Sequence, residues 1–183
     1  MEFSIVTLFN EKVNKDIEKL KREIAKLGPK DGLNLPACIE LGMKFEVPTE
    51  RIDELISKFE RFKKDIKPFK VKVNGFEFIE NISNDPWIKS TFFIGIKVER
   101  SDELKYLNIK LREFKLFSLN EDNEEISTPK IILAENDLDA ASYKRVKKFL
   151  IKMEFGETIL MDNITFILNK DVDKIIYKKL NLN

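Results

Sequence analysis

The chain has 183 residues, of which 43% are hydrophobic and 36% are charged. This length and composition predict one folded unit and exclude a disordered or collagen-like protein. The 33 basic and 32 acidic side chains nearly cancel, so any attraction to nucleic acid must come from a local patch of charge.

Cysteine and histidine contents limit the kinds of site further. Cys38 is the only cysteine, and histidine is absent, which excludes an intrachain disulfide and a cysteine-based zinc or iron–sulfur site. We expect no metal, no cofactor and a reducing, cytoplasmic location. The first residues lack the basic region of a signal peptide, and no apolar run reaches the roughly 18 residues that span a bilayer. Neither export nor contact with a membrane is expected.

The first third of the chain alternates strand and helix patterns. Phe3 to Leu8 is rich in β-branched and aromatic residues and predicts a strand, and apolar residues at helical spacing from Val13 to Leu27 predict a helix. Gly28-Pro29 ends this helix, and Pro36 to Phe45 predicts a second strand. A second helix follows Pro48. Its apolar stripe consists of Ile52, Leu55, Ile56, Phe59 and Phe62.

Two strand patterns occupy the middle of the chain. They are Phe69 to Ile79, interrupted by Asn74-Gly75, and Thr91 to Val98, and a polar loop separates them. The order up to this point is βαβαββ. It contains no long parallel series and no phosphate-binding glycine loop, which disfavours a doubly wound nucleotide-binding fold.

The second half partly repeats the first. A helix is predicted from Ser101 to Phe114, an acidic linker from Asn120 to Glu125 and a strand from Thr128 to Leu133. A further helix has an apolar stripe from Leu138 to Leu150. Three strand-like runs follow, of which the last two predict a hairpin: Glu157 to Leu160, Asn163 to Leu168 and Lys174 to Leu180. The repeated strand-helix-strand unit predicts an α+β fold with two ferredoxin-like βαβ lobes, a bilobal antiparallel-sheet fold around a central cleft in a single domain over residues 1–183.

Several segments in this order resemble the 2H phosphoesterase family, which includes 2'-5' RNA ligase-like proteins and RNA 2',3'-cyclic phosphodiesterases. Members carry two His-x-Thr/Ser motifs, one on a strand in each lobe. The matching stretches here are PACIELG at residues 36–42 and TPKIILA at residues 128–134. The segments KPFKVKVNGFEFIEN and STFFIGIKVE and the closing MDNITFILNK and KIIYKKLNL are similar to the family's other strands.

The resemblance implies a phosphate site in which this chain differs from the family at every motif position. In a strand, residues i and i+2 share a face, so each family motif places an imidazole and a hydroxyl on the cleft wall. One imidazole accepts a proton and the other donates one, which their near-neutral pKa permits. Cys38 and Glu40 stand at the first His and Thr positions, and Lys130 and Ile132 at the second pair. If the first strand is shifted by one residue, Ala37 takes the first His position.

None of the substituting residues is an obvious proton carrier. A thiol with a reference pKa of about 8.5 beside the Glu40 carboxylate is a poor base, and lysine, at about 10.4, needs strong desolvation before it exchanges protons usefully. Cys38 is interpreted first as a packing residue. Glu40 and Lys130 either form an ion pair that fills the cleft or leave Lys130 as an anion contact. Ile132 offers no hydrogen bond.

Other polar and aromatic features lie outside the motifs. Trp87 either caps the core or stacks on a base at the cleft rim. The basic runs at residues 61–64 and 144–148 fit solvated helix faces better than a nucleic-acid contact. We therefore expect a pseudoenzyme whose remnant cleft binds a nucleotide, an RNA end or a protein through Lys130, Glu40, Cys38 and Trp87. The alternatives are a phosphodiesterase that uses the substituted residues and an interaction protein with a closed cleft.

Overall fold

The computed structural model describes residues 1–82, 91–112, 129–170 and 173–182, and only the backbone of residues 42–45, 112 and 173. The helices in these ranges are α1 (Glu11–Ala25), α2 (Ile52–Phe62), α3 (Asp102–Arg112) and α4 (Ala140–Leu150). The strands are β1 (Glu2–Leu8), β2 (Cys38–Glu46), β3 (Phe69–Asn81), β4 (Thr91–Val98), β5 (Lys130–Ala134), β6 (Gly156–Met161), β7 (Asn163–Lys170) and β8 (Asp173–Asn181).

The strands form one sheet in which every neighbouring pair is antiparallel, in the order β6-β3-β4-β5-β2-β1-β7-β8. Two half-sheets meet at its centre. The first consists of β2, β1, β7 and β8, and the second of β5, β4, β3 and β6. Each half-sheet contains a strand-helix-strand unit, β1-α1-β2 in the first and β4-α3-β5 in the second. The predicted α+β fold with a bilobal antiparallel sheet is confirmed.

Polar side chains fix where the helices begin. Asn10 accepts a hydrogen bond from the Val13 backbone N–H at 3.0 Å and caps α1. The Ser101 hydroxyl accepts one from Leu104 N–H at 3.1 Å, so α3 begins after Ser101 and not at it. Such caps satisfy backbone donors that a helix leaves without partners.

The helices cover one face of the sheet, and their apolar stripes pack on alternate strand residues. Ile39 and Leu41 of β2 and Ile131 and Leu133 of β5 are buried in this core. The Phe59 ring of α2 lies edge-on to Phe166 of β7, with ring centroids 4.2 Å apart. Because successive residues of a strand point to opposite faces, the residues between them point to the face without helices, called here the open face.

The connection between α1 and β2 is fastened to the connection between β5 and α4. The Asp31 carboxylate accepts a hydrogen bond from Asn136 N–H at 2.7 Å, and the Asp137 carboxylate accepts one from Lys30 N–H at 2.6 Å. Between these bonds, Gly32 lies against β5 so closely that a Cβ atom on it would overlap the Leu133 carbonyl oxygen. These hydrogen bonds and the close contact of Gly32 join the two half-sheets at their centre.

The observed strands agree with the predicted ones to within a few residues. The strand predicted from Pro36 begins at Cys38, since proline has no N–H to donate to a neighbouring strand. The predicted hairpin of the last two strands is confirmed by the pairing of β7 with β8. The segment interrupted by Asn74-Gly75 is one strand, β3, with a register shift between Val73 and Phe76. The predicted linker from Asn120 to Glu125 lies outside the described residues.

Candidate functional site

The two stretches that resemble the family motifs lie side by side at the centre of the sheet. β2 and β5 are antiparallel neighbours, and Glu40 is directly opposite Lys130. Because Ile39 and Ile131 point into the helix-covered core, Cys38, Glu40 and Lys130 point to the open face. Three of the four motif positions also line one hollow, namely Cys38, Glu40 and Ile132.

The hollow is small. Besides those motif residues it is lined by Ser4, Val6, Leu35, Pro36, Ile167 and Lys174. It leaves about 10 Å³ for the centre of a water molecule, which is room for about one water. No nucleotide fits inside it without movement of the side chains around it.

Cys38 is a buried thiol that packs with Val6 and Ile167. Burial raises its pKa to about 12, and the nearby negative charge of Glu40 adds to this effect. A thiol with such a pKa is almost entirely protonated at neutral pH, and only the thiolate is a good nucleophile or base. The geometry therefore matches the interpretation of Cys38 as a packing residue.

Glu40 is held by a lysine from outside the predicted site. Lys174 of β8 reaches across the open face, and its Nζ lies 3.5 Å from Glu40 Oε1. The side chains of Lys174 and Glu40 are 17% and 14% exposed, so the pair is largely removed from water. The ion pair that the structure shows for Glu40 is thus with Lys174 and not with Lys130.

Lys130 lies beside the hollow. Its Nζ is 4.8 Å from the centroid of the Phe93 ring, a distance at which the ring face attracts a cation. On β4, its direct neighbour is Lys97. Like charges directly opposite each other destabilise a sheet, and no carboxylate in the described part of the chain is within ion-pair distance of either lysine.

A mostly polar row of residues crosses the open face, one from each successive strand. The partners in register, from β4 to β8, are Lys97, Lys130, Glu40, Val6, Thr165 and Lys179. Neighbouring strands are about 4.8 Å apart. The row therefore places Glu40, its one acidic side chain, next to Lys130, with Lys179 three strands away on the other side.

A second lysine is buried behind the hollow. Lys21 of α1 is 1% exposed, and its ammonium donates a hydrogen bond to the Leu35 carbonyl oxygen at 2.6 Å. Burial lowers its pKa, the carboxylate of Glu18 opposes that effect, and the charge of Lys174 lowers the pKa further. The sequence held a signal for this residue, since Lys21 falls within the apolar stripe between Ile17 and Ile24.

The sequence also singled out Trp87 and two basic runs as possible ligand contacts. Trp87 lies outside the described residues. The basic runs of α2 and α4 are interleaved with buried residues such as Phe62 and Val146, and Arg145 donates to the Leu27 carbonyl oxygen at 3.0 Å.

Among the described residues there is no group of three or more metal-binding side chains. In the same ranges, no helix has the length and hydrophobicity needed to cross a membrane.

Comparison with known proteins identifies a similar fold but assigns the chain to no family. No family model matches the chain, and no curated protein matches it. Among solved structures, the chain is similar to TT0787 of Thermus thermophilus, with a TM-score of 0.71 and 16% sequence identity over 100% of this chain and 98% of that one. The chain therefore shares its fold, over its whole length, with the Thermus protein TT0787.

Proposed function

We propose that the chain is a catalytically inactive relative of the 2H phosphoesterases that binds the phosphate group of an RNA end or nucleotide beside Lys130. One observation carries this proposal: the stretches that resemble the family's motifs lie on adjacent strands, with Glu40 opposite Lys130. Two strands arranged in this way provide the frame of a phosphate site, and neither of them carries an imidazole.

The absence of proton carriers supports the inactive half of the proposal. Acid–base cleavage of a phosphodiester needs groups that gain and lose protons near neutral pH. Cys38, with a pKa raised to about 12 by burial, does not meet this need. Ile132 has no polar side-chain atom, and the Glu40 carboxylate is engaged by Lys174.

The binding half is supported by the two lysines at the border between β4 and β5. Lys97 and Lys130 are direct neighbours, and an anion between their ammonium groups would relieve their repulsion. A phosphate group accepts hydrogen bonds from both at once. The Phe93 ring beside Lys130 is only 8% exposed, so it supports the Lys130 ammonium from below and leaves the other side of that ammonium to the anion.

A second candidate is an interaction protein whose cleft is closed, and the small size of the hollow favours it. The hollow admits about one water molecule, while the outermost strand β8 exposes Ile175, Ile176 and Tyr177 by 48%, 54% and 43%. Exposed apolar side chains on a sheet edge are typical of a surface that binds another protein. If wild-type protein binds neither nucleotides nor RNA, this candidate replaces the first.

Substitution of Lys130 tests the proposal. We expect wild-type protein to bind short RNAs in calorimetry, and Lys130→Ala to weaken this binding about tenfold or more, because a hydrogen bond to a charged group contributes about 1.5–3 kcal/mol. Lys144→Ala, on the exposed face of α4, is the matched control and should bind as wild type does. Equal affinities for both variants would contradict the role of Lys130.

Turnover distinguishes the remaining alternative, a phosphodiesterase that uses Lys130, Glu40 or Cys38. We expect no hydrolysis of RNA 2',3'-cyclic or 2'-5' phosphodiesters above the uncatalysed rate. Hydrolysis by wild-type protein that Lys130→Ala abolishes would replace the inactive protein of our proposal with this enzyme.

A further inference from the structure

The charges around the hollow do not balance, and Glu40 is the single carboxylate among its lining residues. Lys174 lines the hollow with Glu40, and Lys130 is opposite Glu40 on the neighbouring strand. Lys21 lies behind the hollow and donates to the carbonyl oxygen of Leu35, another lining residue. The carboxylates of Glu18 and Asp31 act on Lys21, whereas Lys174 and Lys130 have Glu40 between them. Two ammonium groups therefore share one carboxylate, and this part of the open face attracts a further negative charge.

Glu40 and Lys174 depend on each other because both are mostly shielded from water. Their side chains are 14% and 17% exposed. A charge at such a depth is costly without a partner, and removing one member of a buried pair leaves the other uncompensated. Lys174 therefore needs an anion next to it in every state of the site.

We infer that Glu40 is the resident anion of this site, and that a phosphate group binds beside Lys174 and Lys130 only by taking the place of the Glu40 carboxylate. This inference rests on the proposed function, since both use Lys130, and it adds that a phosphate beside Lys130 also reaches Lys174 only when the Glu40 carboxylate moves aside. The carboxylate both neutralises Lys174 and fills the space that a ligand needs.

A phosphate dianion fits this exchange in charge and in size. It carries the negative charge that Lys174 would lose with Glu40, and its oxygens accept hydrogen bonds from more than one ammonium group. The present hollow, with about 10 Å³ for a water centre, is too small for it. Shortening the side chain at position 40 supplies the missing space on the same face.

Glu40→Ser tests the inference, because it removes the carboxylate and leaves a small hydroxyl. In chloride buffer we expect the variant to unfold at a lower temperature than wild-type protein. Addition of inorganic phosphate at constant ionic strength should raise the unfolding temperature of the variant again, since a ligand that binds only the folded state stabilises it. We expect phosphate to bind Glu40→Ser at least about ten times more tightly than wild type in calorimetry, the effect of one charge-assisted hydrogen bond.

Two controls separate specific binding from general salt effects. Glu60→Ser removes a carboxylate that also contacts a lysine of β8, Lys178 at 3.8 Å, on an exposed surface, and it should respond to phosphate as wild type does. The double variant Glu40→Ser with Lys174→Met should lose the response to phosphate. If Glu40→Ser does not fold, Glu40→Thr takes its place, since it also removes the carboxylate and shortens the side chain, and threonine suits a strand better.

The outcomes separate this inference from the proposed function. If wild-type protein binds RNA and Glu40→Ser responds to phosphate no more than Glu60→Ser does, the resident-anion inference is overturned and the proposed function stands. If Glu40→Ser gains phosphate binding but no form binds RNA or nucleotides, the inference holds and the proposed function fails.

Discussion

Gly32→Ala is expected to lower the free energy of unfolding by about 3 kcal/mol, because the added methyl group has no space that a side-chain movement can create. Its Cβ would overlap the carbonyl oxygen of Leu133 and lie 3.1 Å from the carbonyl carbon, both of which are backbone atoms of β5. Relief of this clash requires the whole connection to move away from β5. That movement would stretch the hydrogen bonds of Asp31 and Asp137.

Urea denaturation of wild-type protein and the variant measures this effect directly. Gly156→Ala is the matched control, since its Cβ would come no closer than 3.7 Å to any neighbouring atom, and its change should be within about 0.5 kcal/mol. Because Leu35 and Pro36 line the hollow and follow Gly32 closely in the chain, Gly32→Ala should also loosen the site. A loss for Gly32→Ala no larger than that of the control would show that the connection is not packed as described.

Wild-type protein is expected to lose stability more steeply than Cys38→Ala as the pH rises above about 9. Burial raises the pKa of Cys38 from 9.0 to about 12 in the folded state. Between these values the unfolded chain has released the thiol proton while the folded chain keeps it, so rising pH favours unfolding. The contribution of the thiol is complete below pH 9.0 and is lost by about pH 12.

The expected difference in slope is about 1.4 kcal/mol per pH unit, which sums to an effect on the order of 4 kcal/mol over the whole interval. Urea denaturation at several pH values between about 8 and about 11 measures it. Lys21 has the opposite sign, because its lowered pKa makes stability rise with pH in the alkaline range, and it is present in both proteins. Parallel pH profiles would mean that Cys38 ionises in the folded state as it does in the unfolded chain, and would reopen its role as a base.

The sequence was sufficient for most of the fold because each element has a clear period. The stripe from Val13 to Ile24 is buried as α1. In the strand patterns of β3 and β7, the apolar residues Val71 and Phe166 are buried. Hydrophobic periods of this kind depend on the local geometry of a helix or strand, so they can be recognised without knowledge of tertiary contacts. Boundaries moved by a residue or two where a proline or a capping serine decided them.

The candidate site was only partly predictable, because its closing contact joins distant parts of the chain. Cys38 and Glu40 were placed on one face by the strand period, and the structure brings them with Ile132 to one hollow. Lys174 pairs with Glu40 across 134 positions of sequence. No spacing rule connects a residue of β2 to one of β8, so the pairing of Lys174 with Glu40 is seen only in the three-dimensional structure.

The path of the chain through the sheet has a consequence for its synthesis. The second half-sheet is contiguous from Phe69 to Met161, whereas β1 pairs with β7, which begins at Asn163. On a ribosome the second half-sheet can assemble while β1 still lacks one of its two partners, because domains form as their segments emerge. Completion of the first half-sheet, which brings Lys174 to Glu40, therefore has to wait until β7 and β8 have been synthesised.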